Sequence, residues 1–131
     1  TKAQGFLPAE PWGTWAVGNV TLEFEKPLPE KFELHLWAFT FGPFVGKEYV
    51  AHVGNSSRTF ILGAATKEKR VIEFTNPEGA RTITIDIPST MSPKELGMGD
   101  DDRKLGVAFA QLDILPLTVK WQAAPTLAAQ K

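Results

Sequence analysis

The residues best suited to chemistry in this chain are aromatic and acidic, and they fall in a few short stretches. Trp12 and Trp15 lie three positions apart in "EPWGTW" (10–15), beside a proline and a glycine. Tryptophan rings can stack on sugars, or they can fill the end of a hydrophobic core. The spacing fits neither a helix nor a strand well. We expect Trp15 to be buried, Trp12 to stay partly exposed, and the two rings to point in different directions.

A second stretch, Asp100-Asp101-Asp102, offers carboxylate oxygens of the kind that Ca²⁺ prefers. Its spacing does not match an EF-hand loop, and a solvated loop tip explains three consecutive acids more simply. Calcium at Asp100, Asp101 and Asp102 is therefore a weak expectation, and no other cofactor is predicted.

The chain offers little for covalent catalysis. It has no cysteine, which excludes thiol nucleophiles, thiolate metal sites and disulfides. It contains no Gly-x-Ser-x-Gly elbow and no phosphate-binding glycine loop. The two histidines, His35 and His52, fall in strand patterns and are expected to be sheet-surface residues. We predict that the isolated chain is not an enzyme.

Composition narrows the class of protein further. The 131 residues, 43% hydrophobic and 22% charged with a net charge of −1, predict a single globular domain. No basic stripe alternates with aromatics, so nucleic acid is not an expected partner. No apolar run approaches the ~20 residues that span a bilayer, so this fragment itself is not expected to contact a membrane. The first residues contain neither a Met nor a signal peptide, and we expect a piece of a longer protein or a processed chain.

Apolar and polar residues alternate along the chain with a period of two, which predicts β-strands. Turns rich in Gly, Pro and Asn separate these strands, and no crossover helix is indicated. The candidate strands span residues 20–24, 32–39, 48–53, 58–62, 70–75, 81–87 and 105–115, with a weaker candidate at 117–121. About eight strands predict an all-β fold, an antiparallel β-sandwich that is jelly-roll-like. We expect the sandwich to occupy residues 1–116 and residues 117–131 to form a C-terminal extension or frayed tail.

Two local irregularities can also be predicted. The apolar alternation slips between Phe109 and Leu112, which indicates a β-bulge. In "SPKELG" (92–97), Ser92 is suited to cap one helical turn, with Pro93 at its first position.

The strand at 32–39 carries the best candidate binding surface. Phe32, Leu34 and Leu36 form one plainly apolar face. The opposite face combines aromatic rings with polar groups, as saccharide sites do. We therefore predict carbohydrate binding through that face and the exposed tryptophan of the first motif, that is, through Trp12, Glu33, His35, Trp37 and Phe39. The alternative is that a partner domain or loops cover this face.

Three stretches together resemble one known family. "GFLPAEPWGTWAVG" (5–18) is similar to the opening of the C-terminal domain of bacterial membrane-anchored phosphoglycerol transferases. "NPEGARTITIDIPSTMSPKELGMGDDDRKLGVAFAQLDI" (76–114) is similar to its close, with a Ser-Pro motif, a Leu-Gly pair and an Asp-Arg-x-Leu-Gly segment in order. "FTFGPFVGKEYVAHVG" (39–54) fits the middle. Related domains also end some multi-spanning sugar-transferring membrane proteins. Around Trp15, Thr14 and Ala16 replace the basic or polar residue and the Ser of the family, so no polar contact is carried over there.

The resemblance implies a role within a larger enzyme. The parent proteins carry a separate catalytic domain of alkaline-phosphatase type, which moves phosphoglycerol from lipid onto periplasmic glucans. Neither its metal ligands nor its Thr nucleophile is present in these residues. This chain is then expected to be a non-catalytic accessory domain, periplasmic and part of an inner-membrane-anchored protein. Its expected partner is a glucan, or the catalytic domain of the same chain in a docking role.

Overall fold

The computed structural model describes residues 2–117, which form eight β-strands and one short 3-10 helix. All strand pairs in this range are antiparallel. The strands are β1 (Lys2–Phe6), β2 (Thr14–Glu23), β3 (Lys31–Phe39), β4 (Glu48–Val53), β5 (Ser56–Ile61), β6 (Glu68–Thr75), β7 (Thr82–Asp86) and β8 (Ala108–Pro116), and the helix spans Gly42–Phe44.

Strand β2 takes part in two sheets. Its second half, Val20–Glu23, pairs with β7, which continues through β4 to β5. Its start, Thr14 and Trp15, pairs with β8, which continues through β3 to β6. Strand β1 pairs with β2. Because one strand joins both sheets, the eight strands form a nearly closed, barrel-like arrangement.

The main hydrophobic core lies between the two sheets. Alternate residues of β3, from Phe32 to Ala38, are fully buried, as are Ile83 and Ile85 of β7. The ring of Phe32 stacks on that of Phe74 with centroids 5.6 Å apart. This period-two burial is what the alternating sequence predicts for strands with one face in the core.

A smaller hydrophobic cluster, which we call the end cluster, lies beyond the end of β3. Its buried residues are Phe41, Phe44 and Leu105, and Trp15 packs against them. The segment that covers it includes the predicted cap. Ser92 Oγ accepts a hydrogen bond from Glu95 N–H (3.0 Å), and Glu95 Oε1 accepts one from Ser92 N–H (2.9 Å). The predicted cap is confirmed, although the segment forms hydrogen-bonded turns and not a helix.

Side chains close the seam between the edge strands β5 and β6. Arg70 Nε donates to the carbonyl of Ile61 (2.8 Å) and Arg58 Nε donates to that of Glu73 (3.2 Å). Ser56 Oγ donates to the carbonyl of Thr75 (2.9 Å). These bonds occupy edge carbonyls that would otherwise be open to pairing with another chain.

The prediction of an all-β antiparallel fold with about eight strands is confirmed. The strand at 48–53 agrees to the residue, and the bulge is confirmed at Ala110, which interrupts the β3–β8 register. Strand β1 and the first half of β2 were not predicted. The jelly-roll type and the domain limits at 116 and 117 stay predictions, and the candidate strand at 117–121 lies outside the described residues after Leu117. The described residues contain no helix long and apolar enough to span a membrane.

Candidate functional site

The candidate site lies on the surface of the β6–β3–β8 sheet that points away from the core, which we call the outer face. Because residues directly opposite in antiparallel strands project to the same side, the pairing defines its members. The central row is Glu33, His35, Trp37 and Phe39 of β3. Strand β6 adds Lys69, Val71 and Glu73 opposite the first three, and β8 adds Gln111, Asp113 and Leu115.

The two tryptophans of the "EPWGTW" motif meet at one end of this face. A tight turn positions them, because Glu10 and Gly13 exchange two backbone hydrogen bonds of 2.7 and 3.0 Å. Trp12 is 39% exposed, whereas Trp15 is partly buried. Their rings are 6.2 Å apart and both contact Phe39, with centroids at 6.0 Å for Trp12 and 5.5 Å for Trp15.

Trp12 is partly exposed, as predicted, whereas Trp15 is partly rather than fully buried. The prediction that the two rings point in different directions is wrong. Both rings pack on Phe39 because Gly13, at φ +140°, turns the chain back against β8. Trp15 continues into the end cluster, where its ring lies 5.5 Å from that of Phe41. The motif therefore forms one aromatic group with a buried side and an exposed side.

A shallow hollow of about 410 Å³ opens beside the exposed side of this group. Trp12, Phe39, Lys67 and the bulge residue Ala110 line it. The aromatic rings offer an apolar wall, and the ammonium of Lys67 offers hydrogen-bond donors. Apolar walls with a few polar groups are the usual composition of a small-molecule site.

Trp37 lies two residues before Phe39 on the same face and is partly buried. The ammonium of Lys69 lies 5.0 Å from the centre of its ring, a cation–π contact. A ligand that stacks on that face of Trp37 must first displace Lys69. The sequence could not reveal this contact, because it depends on the pairing of β3 with β6.

Glu33 and His35 form a hydrogen-bonded pair at the far end of the row. Glu33 Oε1 lies 2.9 Å from His35 Nε2, and the His35 ring lies 6.3 Å from that of Trp37. A carboxylate only accepts hydrogen bonds, so Nε2 is the donor. The His35 side chain is 13% exposed, which leaves the Glu33 oxygens as the more accessible polar group. The structure thus places all five predicted residues on one face, in two groups joined by Trp37.

The acidic loop is organised by ion pairs. Arg103 donates to both carboxylate oxygens of Asp101, the shortest contact being 2.6 Å, and this holds the pKa of Asp101 at about 2. In the same loop region, Lys104 and then the backbone of Ser92 lower the pKa of Glu95 to about 2. Within residues 2–117 no three acidic or histidine side chains converge as metal ligands. The calcium prediction for Asp100, Asp101 and Asp102 gains no support.

The structure also brings together a polar group, Ser57, His52 and Asp86, that no sequence pattern indicates. His52 on β4 lies 2.8 Å from Ser57 Oγ through Nδ1 and 2.7 Å from Asp86 Oδ2 through Nε2. Asp86 can only accept, so Nε2 carries the proton and Nδ1 accepts from the hydroxyl. This is the order of a Ser-His-Asp triad, which polarises the Ser57 hydroxyl. The side chains of His52 and Asp86 are 37% and 43% exposed on an open sheet surface, and neither residue lines the hollow at Trp12.

Comparison with known proteins identifies the family of this chain. Residues 1–116 match the family model described as "Domain of unknown function (DUF7024)". The chain belongs to the DUF7024 family.

The DUF7024 domain also has curated relatives of known name. It is 32% identical over 116 residues to proteins named phosphoglycerol transferase I from Salmonella typhi, Salmonella typhimurium and Salmonella newport. The match covers 85% of this chain and 15% of each relative, so the domain corresponds to a small part of those proteins. No solved structure gives a significant match. The resemblance to a domain of phosphoglycerol transferases, predicted from the Trp motif and the "SPKELG" run, is confirmed.

Proposed function

We propose that this DUF7024 domain is a non-catalytic accessory domain that binds or positions a glucan within a phosphoglycerol transferase-like protein. The similarity to part of phosphoglycerol transferase I supports the proposed type of parent protein. A periplasmic location is part of the same proposal. The observation that carries the binding role is the hollow between Trp12 and Phe39.

The hollow has the chemistry that a sugar needs. The exposed ring of Trp12 can stack on the C–H groups of a pyranose, and Lys67 can donate to a hydroxyl at the rim. On the outer face, Gln111 of β8 lies directly opposite Trp37 of β3. A linear saccharide of several units can therefore extend from the hollow along the face towards the carboxylate of Glu33.

The Ser57–His52–Asp86 group does not change this proposal. Acyl transfer needs donors aimed at the developing oxyanion as well as an activated hydroxyl. Ser57 lies directly opposite His52 in the regular β4–β5 ladder, on an exposed sheet surface. This arrangement encloses no substrate beside the hydroxyl.

Titration with β-glucan oligomers tests the binding role. Tryptophan fluorescence and amide chemical shifts are followed in the wild type and in Trp12→Ala. We expect shifts confined to the hollow and the outer face, and a Kd at least about tenfold higher in Trp12→Ala, equivalent to ~1.4 kcal/mol. Ile61→Ala removes a similarly exposed apolar side chain from β5 and is the matched control, with no expected change. The absence of any shift at millimolar glucan would contradict the proposal.

Docking on the catalytic domain of the same chain is the second candidate function. It is favoured by Val71 and Leu115, which are 50% and 45% exposed on the outer face and lie on either side of its central row. Val71→Lys with Leu115→Lys should block docking, and because neither residue lines the hollow, glucan-induced shifts at Trp12 should persist. Binding of the separately expressed remainder of a phosphoglycerol transferase, followed by amide shifts, distinguishes the two functions.

A further inference from the structure

A cavity of about 520 Å³ lies where the pairing of β4 with β7 ends. The last pair is Val50 with Asp86, and two residues further on Glu48 would lie opposite Pro88, which has no N–H to donate. The chain after β7 therefore separates from β4, and the cavity opens between them. We call it the Phe44 cavity. None of its lining residues belongs to the outer face, so it is separate from the hollow at Trp12.

Backbone hydrogen bonds fix two walls of the Phe44 cavity. The N–H of Lys47 donates to the carbonyl of Phe44 (3.1 Å), which holds the chain just before β4 in a turn. On the other side, Met91 and Leu105 exchange two backbone bonds of 3.0 Å. Because the fold itself holds both walls, a ligand does not have to order them, and this lowers the entropy cost of binding.

The floor of the cavity is apolar. Phe44 is 8% exposed and belongs to the end cluster, against which Met91 packs. Tyr49 is 3% exposed, and its ring stacks on that of Phe60 with centroids 5.5 Å apart. The volume lies in the ~300–1,000 Å³ range of small-molecule pockets. A ligand of this cavity therefore needs an apolar part.

The rim of the cavity carries both signs of charge. Lys47 contributes an ammonium and Glu48 a carboxylate, and both residues are exposed. Among residues 2–117, neither forms an ion pair. Ser89 and Thr90 add two hydroxyl groups. The rim thus offers donors for an anion at one place and an acceptor for a cation at another.

This combination selects the chemistry of a ligand. A neutral sugar would use neither charge, and a fatty acid would leave the Glu48 carboxylate without a partner. A small zwitterion with an apolar body uses the floor and both charges. We propose that the Phe44 cavity binds an apolar α-amino acid. Its side chain lies on the floor, its carboxylate pairs with Lys47 and accepts from the hydroxyls, and its ammonium donates to Glu48.

Titration with leucine tests this proposal, with the amide shifts of residues 43–49 and 88–91 followed by NMR in the full chain. We expect Lys47→Gln and Glu48→Gln each to raise the Kd for leucine about fivefold, as for exposed charge pairs. Lys26→Gln and Glu30→Gln remove the same charges away from the cavity and are the matched controls, with no expected change.

Two derivatives of leucine assign the charges to their partners. N-acetylleucine lacks the ammonium, so it should bind the wild type about fivefold more weakly than leucine and lose nothing further in Glu48→Gln. Leucinamide lacks the carboxylate and should behave in the same way towards Lys47→Gln. This pairing of ligand and variant distinguishes direct contact from a general effect of charge.

Three outcomes would overturn the proposal. The absence of shifts at these amides with millimolar leucine would show that the cavity takes no amino acid. Equal affinity for leucine and both derivatives would show that the two charges make no contact with the ligand. Shifts at these amides with β-glucan oligomers and not with leucine would make the cavity part of a saccharide site. Glucan binding at Trp12 is measured separately, so the result does not depend on the proposed function.

Discussion

Gly13 is the residue on which the position of Trp12 depends. Its φ of +140° lies in a region that L side chains rarely adopt, and a Cβ there would lie 2.2 Å from the carbonyl oxygen of Phe109. The backbone of the turn thus packs directly on β8, and this contact holds Trp12 over Phe39. Gly13 is therefore needed both for the turn and for the close approach of the turn backbone to β8.

Substitution of Gly13 by Ala should therefore destabilise the fold. Backbone atoms of β8 must move to admit the methyl group, and we expect a loss of roughly 2 kcal/mol or more in the free energy of unfolding. Gly18→Ala is the control, because a Cβ at Gly18 meets nothing within 4 Å. Urea denaturation measures both. Equal stability of the two variants would show that the turn at Gly13 does not rest on β8.

Glu95 makes the stability of the fold depend on pH in the acidic range. Lys104 and then Ser92 hold its folded-state pKa at about 2, below the ordinary 4.5. A carboxyl group whose pKa is lowered by folding stabilises the folded state at pH values above its unfolded-state pKa. For Glu95 this contribution is lost as the pH falls from about 4.5 to 2. Lys104→Gln should raise the pKa of Glu95 in an NMR carboxyl titration. Asp101, whose partner is Arg103, should stay near 2 in the same spectrum and serves as the internal control. An unchanged pKa of Glu95 would contradict the assigned cause.

At the scale of elements, the strands that the sequence predicts are those in which apolar and polar residues alternate. Residues 32–39 and 48–53 carry an apolar residue at every second position, and the structure has strands there. The end of strand β1 and the start of β2 lie in "GFLPAEPWGTW" (5–15), where two prolines and two glycines break the pattern. Their pairing is decided by partners farther along the chain, Ala3 with Leu22 and Thr14 with Phe109. Local sequence does not carry that information.

The same limit applies to the candidate site. The period of two was enough to place Glu33, His35, Trp37 and Phe39 on one face. It could not bring Lys69 over Trp37, or Ser57 and Asp86 to His52, because those contacts depend on which strands pair and in what register. The bulge at Ala110 was visible because it interrupts the alternation within one strand.

This bulge leads to a prediction about strand register. Trp37 pairs with Gln111 and Ala38 with Phe109, so Ala110 is an extra residue on β8. Its deletion leaves Phe109 facing inwards and Gln111 outwards, and we expect a folded domain with an altered hollow beside Trp12. Deletion of His35 from β3 instead turns Phe32 and Leu34 to the outside, so we expect that variant not to fold. Circular dichroism melting curves compare the two, and failure of both to fold would show that the bulge itself is required.

At the scale of the whole molecule, the main core and the end cluster are joined through β3. Phe39, at the end of the strand, is followed by the buried Thr40, whose hydroxyl donates to the carbonyl of Gly106 (2.9 Å). Phe41 then enters the end cluster directly. Because β3 also contributes a full row to the main core, neither cluster can lose its packing without strain on the other. The domain is expected to unfold as one unit.

Phe44→Ala tests this coupling. Phe44 is 8% exposed in the end cluster, with its ring 5.8 Å from that of Phe41, and its truncation should cost about 3 kcal/mol. In urea, the fluorescence of variants in which Trp12, Trp37 and Trp121 are replaced by Phe reports on the end cluster through Trp15, while far-UV circular dichroism reports on all strands. We expect both curves to shift together, as they should for Phe60→Ala in the main core. A fluorescence transition that precedes the dichroism transition would show that the end cluster unfolds independently, and the aromatic site with it.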